Sequence, residues 1–183
     1  MTLGEAKTAA RKAAFARRAA AHGPHPAAGH LSSFLAGHRG VAVAGYMPIN
    51  TEIDPRPAME EAAAHGAVGI PVIEGAGRPL SFAHWHPGTA LVEGAFKALV
   101  PADPVPMIPE IVIVPLVAFT RAGGRLGYGG GFYDRTLEGL RAARPTLAAG
   151  FAYAAQEAPA LPLEPTDQPL DLIITEREII DLR

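Results

Sequence analysis

The sequence contains no cysteine, which excludes a disulfide framework, a thiolate zinc site and a cysteine nucleophile. It also lacks any apolar run near the roughly 20 residues that a bilayer-spanning helix requires. A secretory leader is not expected, because Lys7, Arg11, Lys12, Arg17 and Arg18 are spread among alanines with no apolar block between them. Basic charge is not in excess: 16 Lys and Arg stand against 18 Asp and Glu, for a formal net charge of -2. That balance supplies no field of the kind that carries general nucleic-acid binding. Aromatic residues are few, at 7%, with Trp85 the single tryptophan. What remains is a globular composition, 49% apolar and 19% charged over 183 residues. It suits one domain spanning residues 1–183 that buries a real core. A soluble cytoplasmic protein with neither membrane nor nucleic acid as partner is the expectation.

Along the chain, Gly4 to Ala21 is alanine-rich with interspersed cations and predicts a helix. Its apolar face is thin, so it is expected to lie on the body of the protein. His22 to Gly40 is rich in Gly, Pro and His and predicts a turn, then a short helix around Leu31 to Leu35. Short apolar runs then alternate with helical stretches. Val41–Ala44, Ala67–Ile73, Ile111–Val114, Leu147–Tyr153 and Leu172–Thr175 are strand candidates, and Arg56–His65 and Tyr133–Ala143 are helix candidates. Ile111-Val-Ile-Val114 is the clearest strand, stopped by Pro115. Pro101 to Pro109 holds four prolines and is expected to be an extended connection without an element of its own. The alternation predicts an α/β fold, an open parallel or mixed sheet with helices on both faces in a Rossmann-like three-layer arrangement.

The most informative stretch is Ala118 to Leu137, AFTRAGGRLGYGGGFYDRTL. Six of the nine residues from Gly123 to Gly131 are glycine, where a share of roughly 7% is ordinary. Glycine permits positive φ and lets backbone N–H groups approach a ligand without a Cβ between them. The stretch follows a buried strand and leads into a helix, which puts it at the carboxyl edge of the sheet, where open α/β folds bind ligands. A helix N-terminus adds free N–H donors and partial positive charge, and both favour phosphate. The glycines do not fit the dinucleotide spacing, and no Gly-Lys-Ser/Thr follows them as a P-loop requires. By pattern alone the stretch is an anion or nucleotide-phosphate site, with a plain chain-reversing turn as the bland alternative.

Arg125-Leu-Gly-Tyr-Gly-Gly-Gly-Phe-Tyr-Asp134 is similar to the signature of the 5-formyltetrahydrofolate cyclo-ligase family, also called 5,10-methenyltetrahydrofolate synthetases. The likeness extends to Ile111–Phe119, to Lys7 and Arg11, to Tyr46–Glu52 and to Asp167–Thr175, covering nearly the whole chain in order. The resemblance implies a ligase that converts 5-formyltetrahydrofolate to 5,10-methenyltetrahydrofolate with ATP as co-substrate and Mg2+ as cofactor. It also implies that Lys7, Arg11 and the loop residues Arg125, Leu126, Gly127, Tyr128, Gly129, Gly130, Gly131, Phe132 and Tyr133 hold the nucleotide. Arg125 is then the fixed catalytic cation, and Asp134 and Asp167 are the metal ligands. Met47 and Glu52 take the folate, Glu52 by accepting paired N–H donors from the aminopyrimidine edge. Trp85 is expected to stack on a flat ring of the substrate, with core packing as its other reading.

Each assignment has a plainer reading beside it: a surface ion pair for Arg125, a helix first-turn carboxylate for Asp134, a turn residue for Asp167, solvated cations for Lys7 and Arg11. Glu52 could equally be an exposed loop acid and Met47 a core residue. His84 and His86 flank Trp85 at strand spacing, but no third ligand is placed by the sequence. Thr120, Phe132, Gly130 and Lys97-Ala98-Leu99 depart from common family choices without removing a proposed ligand. The substrate is expected to be a folate, polyglutamylated or not, and the chain a monomer. A non-catalytic folate- or nucleotide-binding paralogue, and a sugar-phosphate isomerase or acyl-transfer enzyme, are the competing classes.

Overall fold

In the computed structural model, which describes residues 1–183, the chain runs α1 (Leu3–Ala21), α2 (Gly29–Ala36), β1 (Val43–Ala44), α3 (Arg56–Ala63), β2 (Val68–Val72), β3 (Ser81–His84), β4 (Leu91–Glu93), β5 (Leu99–Pro101), β6 (Pro106–Met107), β7 (Ile111–Pro115), β8 (Ala118–Phe119), β9 (Arg125–Leu126), α4 (Phe132–Ala143), β10 (Leu147–Phe151), β11 (Leu172–Ile174) and β12 (Ile179–Asp181). One eight-stranded sheet has the order β12-β11-β10-β7-β1-β2-β3-β6. Its five inner strands, β11 through β2, are parallel, and the outer strands pair antiparallel on both sides. The expected α/β fold is therefore the one observed.

Period-two alternation along the parallel strands builds two cores. Val43, Ile111, Ile113, Ala149, Phe151, Leu172 and Ile174 point to one face and bury Leu31, Phe34 and Leu35 of α2 and Ala58 of α3. Ala44, Val112, Val114, Ala148 and Ile173 point to the other and bury Leu137 of α4 with Phe119 and Leu170. Side chains as small as Ala148 and Ala149 at the centre of β10 let the helix layers approach the sheet closely.

Helix α1 starts with a capping box, in which Thr2 Oγ1 accepts from Glu5 N while the Glu5 side chain accepts from Thr2 N. It lies on the body of the protein, as its thin apolar face predicts, yet it buries Ala14 and also Arg18.

One local expectation is corrected, and two gain detail. Pro115 ends β7 as expected, as its last residue and in register with Phe151. The proline-rich connection does contribute elements, because β5 pairs with β4 and β6 forms the edge of the main sheet beside β3. Pro106 is tolerated there because an edge strand has one side with no ladder bond to make. The glycine stretch follows β7 as expected, and its first part folds as a two-stranded hairpin, β8 and β9, that carries Arg125.

Strand order decides where a ligand can sit. From β1 the chain steps to β2 on one side, then returns to β7 on the other. The connections after β1 and β7 therefore diverge at the carboxyl ends of two adjacent strands, the crevice that open α/β sheets use for binding. The segment Gly45–Asp54 leaves β1 there, and the path to the glycine loop leaves β7 beside it.

Candidate functional site

Between α1 and the glycine loop lies a cleft of about 150 Å³. Lys7 and Arg11 line it from α1, Arg125 from β9, and residues 126–133 from the loop and the start of α4, with the carboxylates of Asp134, Glu164 and Asp167 completing the lining. The loop holds its shape by glycine conformation: Gly129 has φ +100° and Gly131 has φ +68°, values that a side chain would strain. Gly131 is the residue before the first turn of α4, and no side chain caps the free N–H groups with which the helix opens.

The cations of this cleft are held in place by protein groups. Arg11 Nε donates to Gly127 O at 2.8 Å, tying α1 to the loop. Lys7 Nζ reaches Glu164 Oε2 at 2.9 Å and Asp167 Oδ2 at 3.6 Å. Arg125 is 7% exposed and ion-paired with Asp134 Oδ1, which also accepts from Gln168 N at 2.8 Å. Burial pulls the Arg125 guanidinium below its usual pKa, while Asp134 and Asp167 act in the opposite direction. Two buried donors of the cleft lining are left without a partner, Arg125 Nε and the Tyr133 hydroxyl; a third, Arg135 Nε, lies on a residue outside that lining. Such groups are rare in folded proteins.

A second group of residues gathers at the end of β1. Glu52 is 4% exposed. Its Oε1 accepts from Ile49 N at 2.7 Å and its Oε2 from the Tyr128 hydroxyl at 2.6 Å. Burial pushes the Glu52 carboxyl up from its usual pKa; the Tyr128 and Ile49 donors and the Arg18 charge oppose that shift. Through Tyr128 the glycine loop touches the folate-acid candidate Glu52 directly. Met47 lies next to it, in a separate hollow lined by residues 47–50 and 97–99.

Trp85 is elsewhere. It is 7% exposed and packs with Met59, Val68 and Ile70, with Met47 and Leu91 against that cluster. Of its two readings the structure places it in the core, behind Met47. His84 and His86 are both exposed, and His86 Nδ1 accepts from Gly88 N. Sequence reasoning missed Glu164, which has no distinctive local pattern, and Arg18, one more cation on an alanine-rich helix. The signal available for Arg18 was weak: it lies seven residues after Arg11, two helical turns further along the same face.

Comparison with known proteins shows the family. The pattern of the 5-formyltetrahydrofolate cyclo-ligase family matches residues 5–176. The chain belongs to that family. A 5-formyltetrahydrofolate cyclo-ligase of Escherichia coli (strain K12) is 36% identical over 145 residues, covering 75% of this chain and 79% of that protein. A 5,10-methenyltetrahydrofolate synthetase of Aquifex aeolicus, solved by NMR, superposes with a TM-score of 0.72 at 27% identity, covering 97% of this chain and 93% of the other. A 5,10-methenyltetrahydrofolate synthetase of Mycoplasma pneumoniae shares the fold, with a TM-score of 0.68 at 24% identity over 93% of this chain and 98% of that one. Membership in the cyclo-ligase family makes this chain a ligase. No helix is long and apolar enough to cross a membrane.

Proposed function

We propose that this member of the family converts 5-formyltetrahydrofolate to 5,10-methenyltetrahydrofolate at the expense of ATP, and that one domain carries both substrate sites. The observation that carries the reading is the pair of unpartnered buried donors, Arg125 Nε and Tyr133 Oη, in a cleft lined also by Lys7, Arg11 and glycine backbone. Donors without a protein partner suit the oxygens of a triphosphate, and guanidinium geometry suits them in particular.

The chemistry needs activation because a formyl oxygen is a very poor leaving group. The formyl oxygen attacks the γ-phosphorus, the bond to ADP breaks, and the oxygen leaves later as phosphate. N10 of the folate attacks the activated formyl carbon, which closes the five-membered ring, and loses its proton; departure of phosphate then breaks the C–O bond and leaves the methenyl bridge. The protein's part is to position the reactants and to meet the charge that moves over the phosphoryl oxygens. Arg125 is the fixed cation for that charge. Lys7 and Arg11 hold the nucleotide with the backbone of residues 126–133.

Asp134 and Asp167 fit Mg2+. Asp134 Oδ2 and Asp167 Oδ1 have no hydrogen-bond partner, the donors are hard oxygens, and both carboxylates act on Arg125. A magnesium ion held by these two carboxylates would complete its shell with phosphate and water. When bound, it would neutralise phosphate charge.

Glu52 takes the aminopyrimidine edge of the pterin, and each of its oxygens keeps a second lone pair for a substrate N–H. Tyr128 is 51% exposed and stands over Oε2, so turning this ring aside opens the carboxylate to the cleft. Met47 borders the folate. Polyglutamylated folates extend the same substrate class, and the chain acts as a monomer. The deciding experiment is the absorbance of the methenyl product from 5-formyltetrahydrofolate, with magnesium-ATP supplied or withheld. Product formed only with magnesium-ATP is the expected result; folded protein that binds both ligands without forming product refutes the reading in favour of a binding paralogue.

A further inference from the structure

Arg18 is a buried cation that the proposed reaction does not use. It is 2% exposed on α1, two turns beyond Arg11. Its Nε donates to Thr51 Oγ1 at 3.0 Å, its Nη1 to the Tyr128 hydroxyl at 2.5 Å, and its guanidinium carbon lies 5.0 Å from the Phe15 ring centroid and 5.6 Å from that of Tyr128. Neither hydrogen-bond partner is a carboxylate, and no ion pair holds the residue. A guanidinium desolvated against two hydroxyls and two rings is costly unless its charge is used nearby. The nearby acid is Glu52, reached through the single Tyr128 hydroxyl, which accepts from Arg18 and donates to Glu52.

The other titratable groups that face Glu52 are Tyr46 in the segment after β1, Tyr128 in the glycine loop and Tyr133 in α4. Burial raises the pKa of all three hydroxyls, with the Glu52 charge adding to it, so they remain neutral. Among these neighbours Arg18 alone is charged. It also has anchors that do not depend on Tyr128: Thr51, one residue before Glu52, and the face of Phe15.

We propose that Arg18 is a positioning residue for the folate acid: held on Thr51 and Phe15, it supplies the fixed positive charge that Glu52 faces when Tyr128 turns aside for the substrate. The inference rests on the folate reading of Glu52. It gives the first helix two tasks on one face, with Lys7 and Arg11 toward the nucleotide and Arg18 toward the folate.

The test is steady-state kinetics of Arg18→Met, with each substrate varied across pH. Removing the fixed charge behind the carboxylate predicts a rise of about tenfold in KM for 5-formyltetrahydrofolate. Turnover at saturating folate and KM for ATP should stay close to wild type. The acidic limb of kcat/KM for folate should move to higher pH, because Glu52 loses the charge that favours its ionised form, and Arg18→Lys should move it back. A merely structural role would raise both KM values together and leave the limb in place, which overturns the proposal. Should Arg18→Met fail to fold, Thr51→Val decides: it removes the hydroxyl that aims Nε, and a smaller shift of the limb in the same direction is expected, whereas no shift overturns the inference. Glu52→Gln separates the two levels. Wild-type KM for folate in that variant sinks the folate reading itself, while a raised KM there beside wild-type kinetics in Arg18→Met sinks only the role of Arg18.

Discussion

Replacing Asp134 by Asn removes one charge and leaves the shape almost unchanged, so it tests the structural and the metal roles of this carboxylate separately. Asp134 Oδ1 accepts from Arg125 and from Gln168 N, and its side chain is a quarter exposed beside an Arg125 side chain that is 5% exposed. An Asn carbonyl oxygen can accept both bonds, so what is lost is their charge assistance, worth roughly half the strength of each. With net values of about 1.5–3 kcal/mol for charged and about 0.5–1.5 kcal/mol for neutral hydrogen bonds, the two together lose roughly 2 kcal/mol. The larger cost of about 3–5 kcal/mol for breaking a fully buried pair does not apply, since the acceptor remains and solvent screens part of the charge. For a chain of this length about 2 kcal/mol lowers Tm by roughly 4–8 °C. That shift should appear in thermal melts without metal or nucleotide. Activity well below the melting range should fall further than a metal-site outer-shell change would cause, by about two orders of magnitude or more. Adding magnesium-ATP should stabilise the wild type more than the variant. Wild-type turnover with an ordinary magnesium requirement in Asp134→Asn would refute the metal assignment, and an unchanged Tm would refute the argument from the Arg125 pair.

Three further outcomes follow from the same geometry. Burial raises the folded-state pKa of Glu52 above its usual 4.5, so the folded chain binds more protons than the unfolded one between those values. The contribution is most favourable below the unfolded pKa and is lost as pH rises through the folded one. Glu52→Gln should therefore gain stability relative to wild type as pH rises through that window, measured as the difference between paired melts; a difference that does not vary with pH would contradict this. Gly131→Ala places a Cβ on a residue at φ +68° and should cost about 1–2 kcal/mol, with a higher KM for ATP as the loop shifts; a variant as stable as wild type would show that the loop relaxes freely. Trp85→Ala should lose about 3–5 kcal/mol in denaturant unfolding, while Trp85→Phe should keep KM for folate near wild type. A stable Trp85→Phe with a greatly raised KM would return Trp85 to the substrate.

Much of this protein was legible along the chain because its causes are local. The β-branched run of β7, the small residues of β10 and the helical spacing of Tyr133, Leu137 and Leu140 each carry their period within one segment. The glycines of residues 123–131 announce a backbone that a side chain would obstruct, and Gly123, Gly129 and Gly131 indeed take positive φ. The signature from Arg125 to Asp134 is contiguous, so its resemblance could be recognised without any structure. Elements without a local signature were not legible. Strands β3 and β6 owe their conformation to pairing with a neighbour, and a stretch holding Pro104, Pro106 and Pro109 gives no hint of an edge strand.

The site itself was decided by tertiary structure. Lys7 meets Glu164 across 157 positions of sequence, and Arg18 meets Tyr128 across 110. Whether Arg18 is a solvated helix cation or a buried charge behind Glu52 depends on which loops the sheet order brings to the ends of β1 and β7. Trp85 turns into the core because Met59, Val68 and Ile70 converge on it, and none of them is near it in sequence. The sequence determined the residue types and the backbone freedom that a phosphate loop needs, since those depend on neighbours a few positions away. Only the fold decided which charges face one another, because the crevice between β1 and β7 exists only once the sheet has assembled.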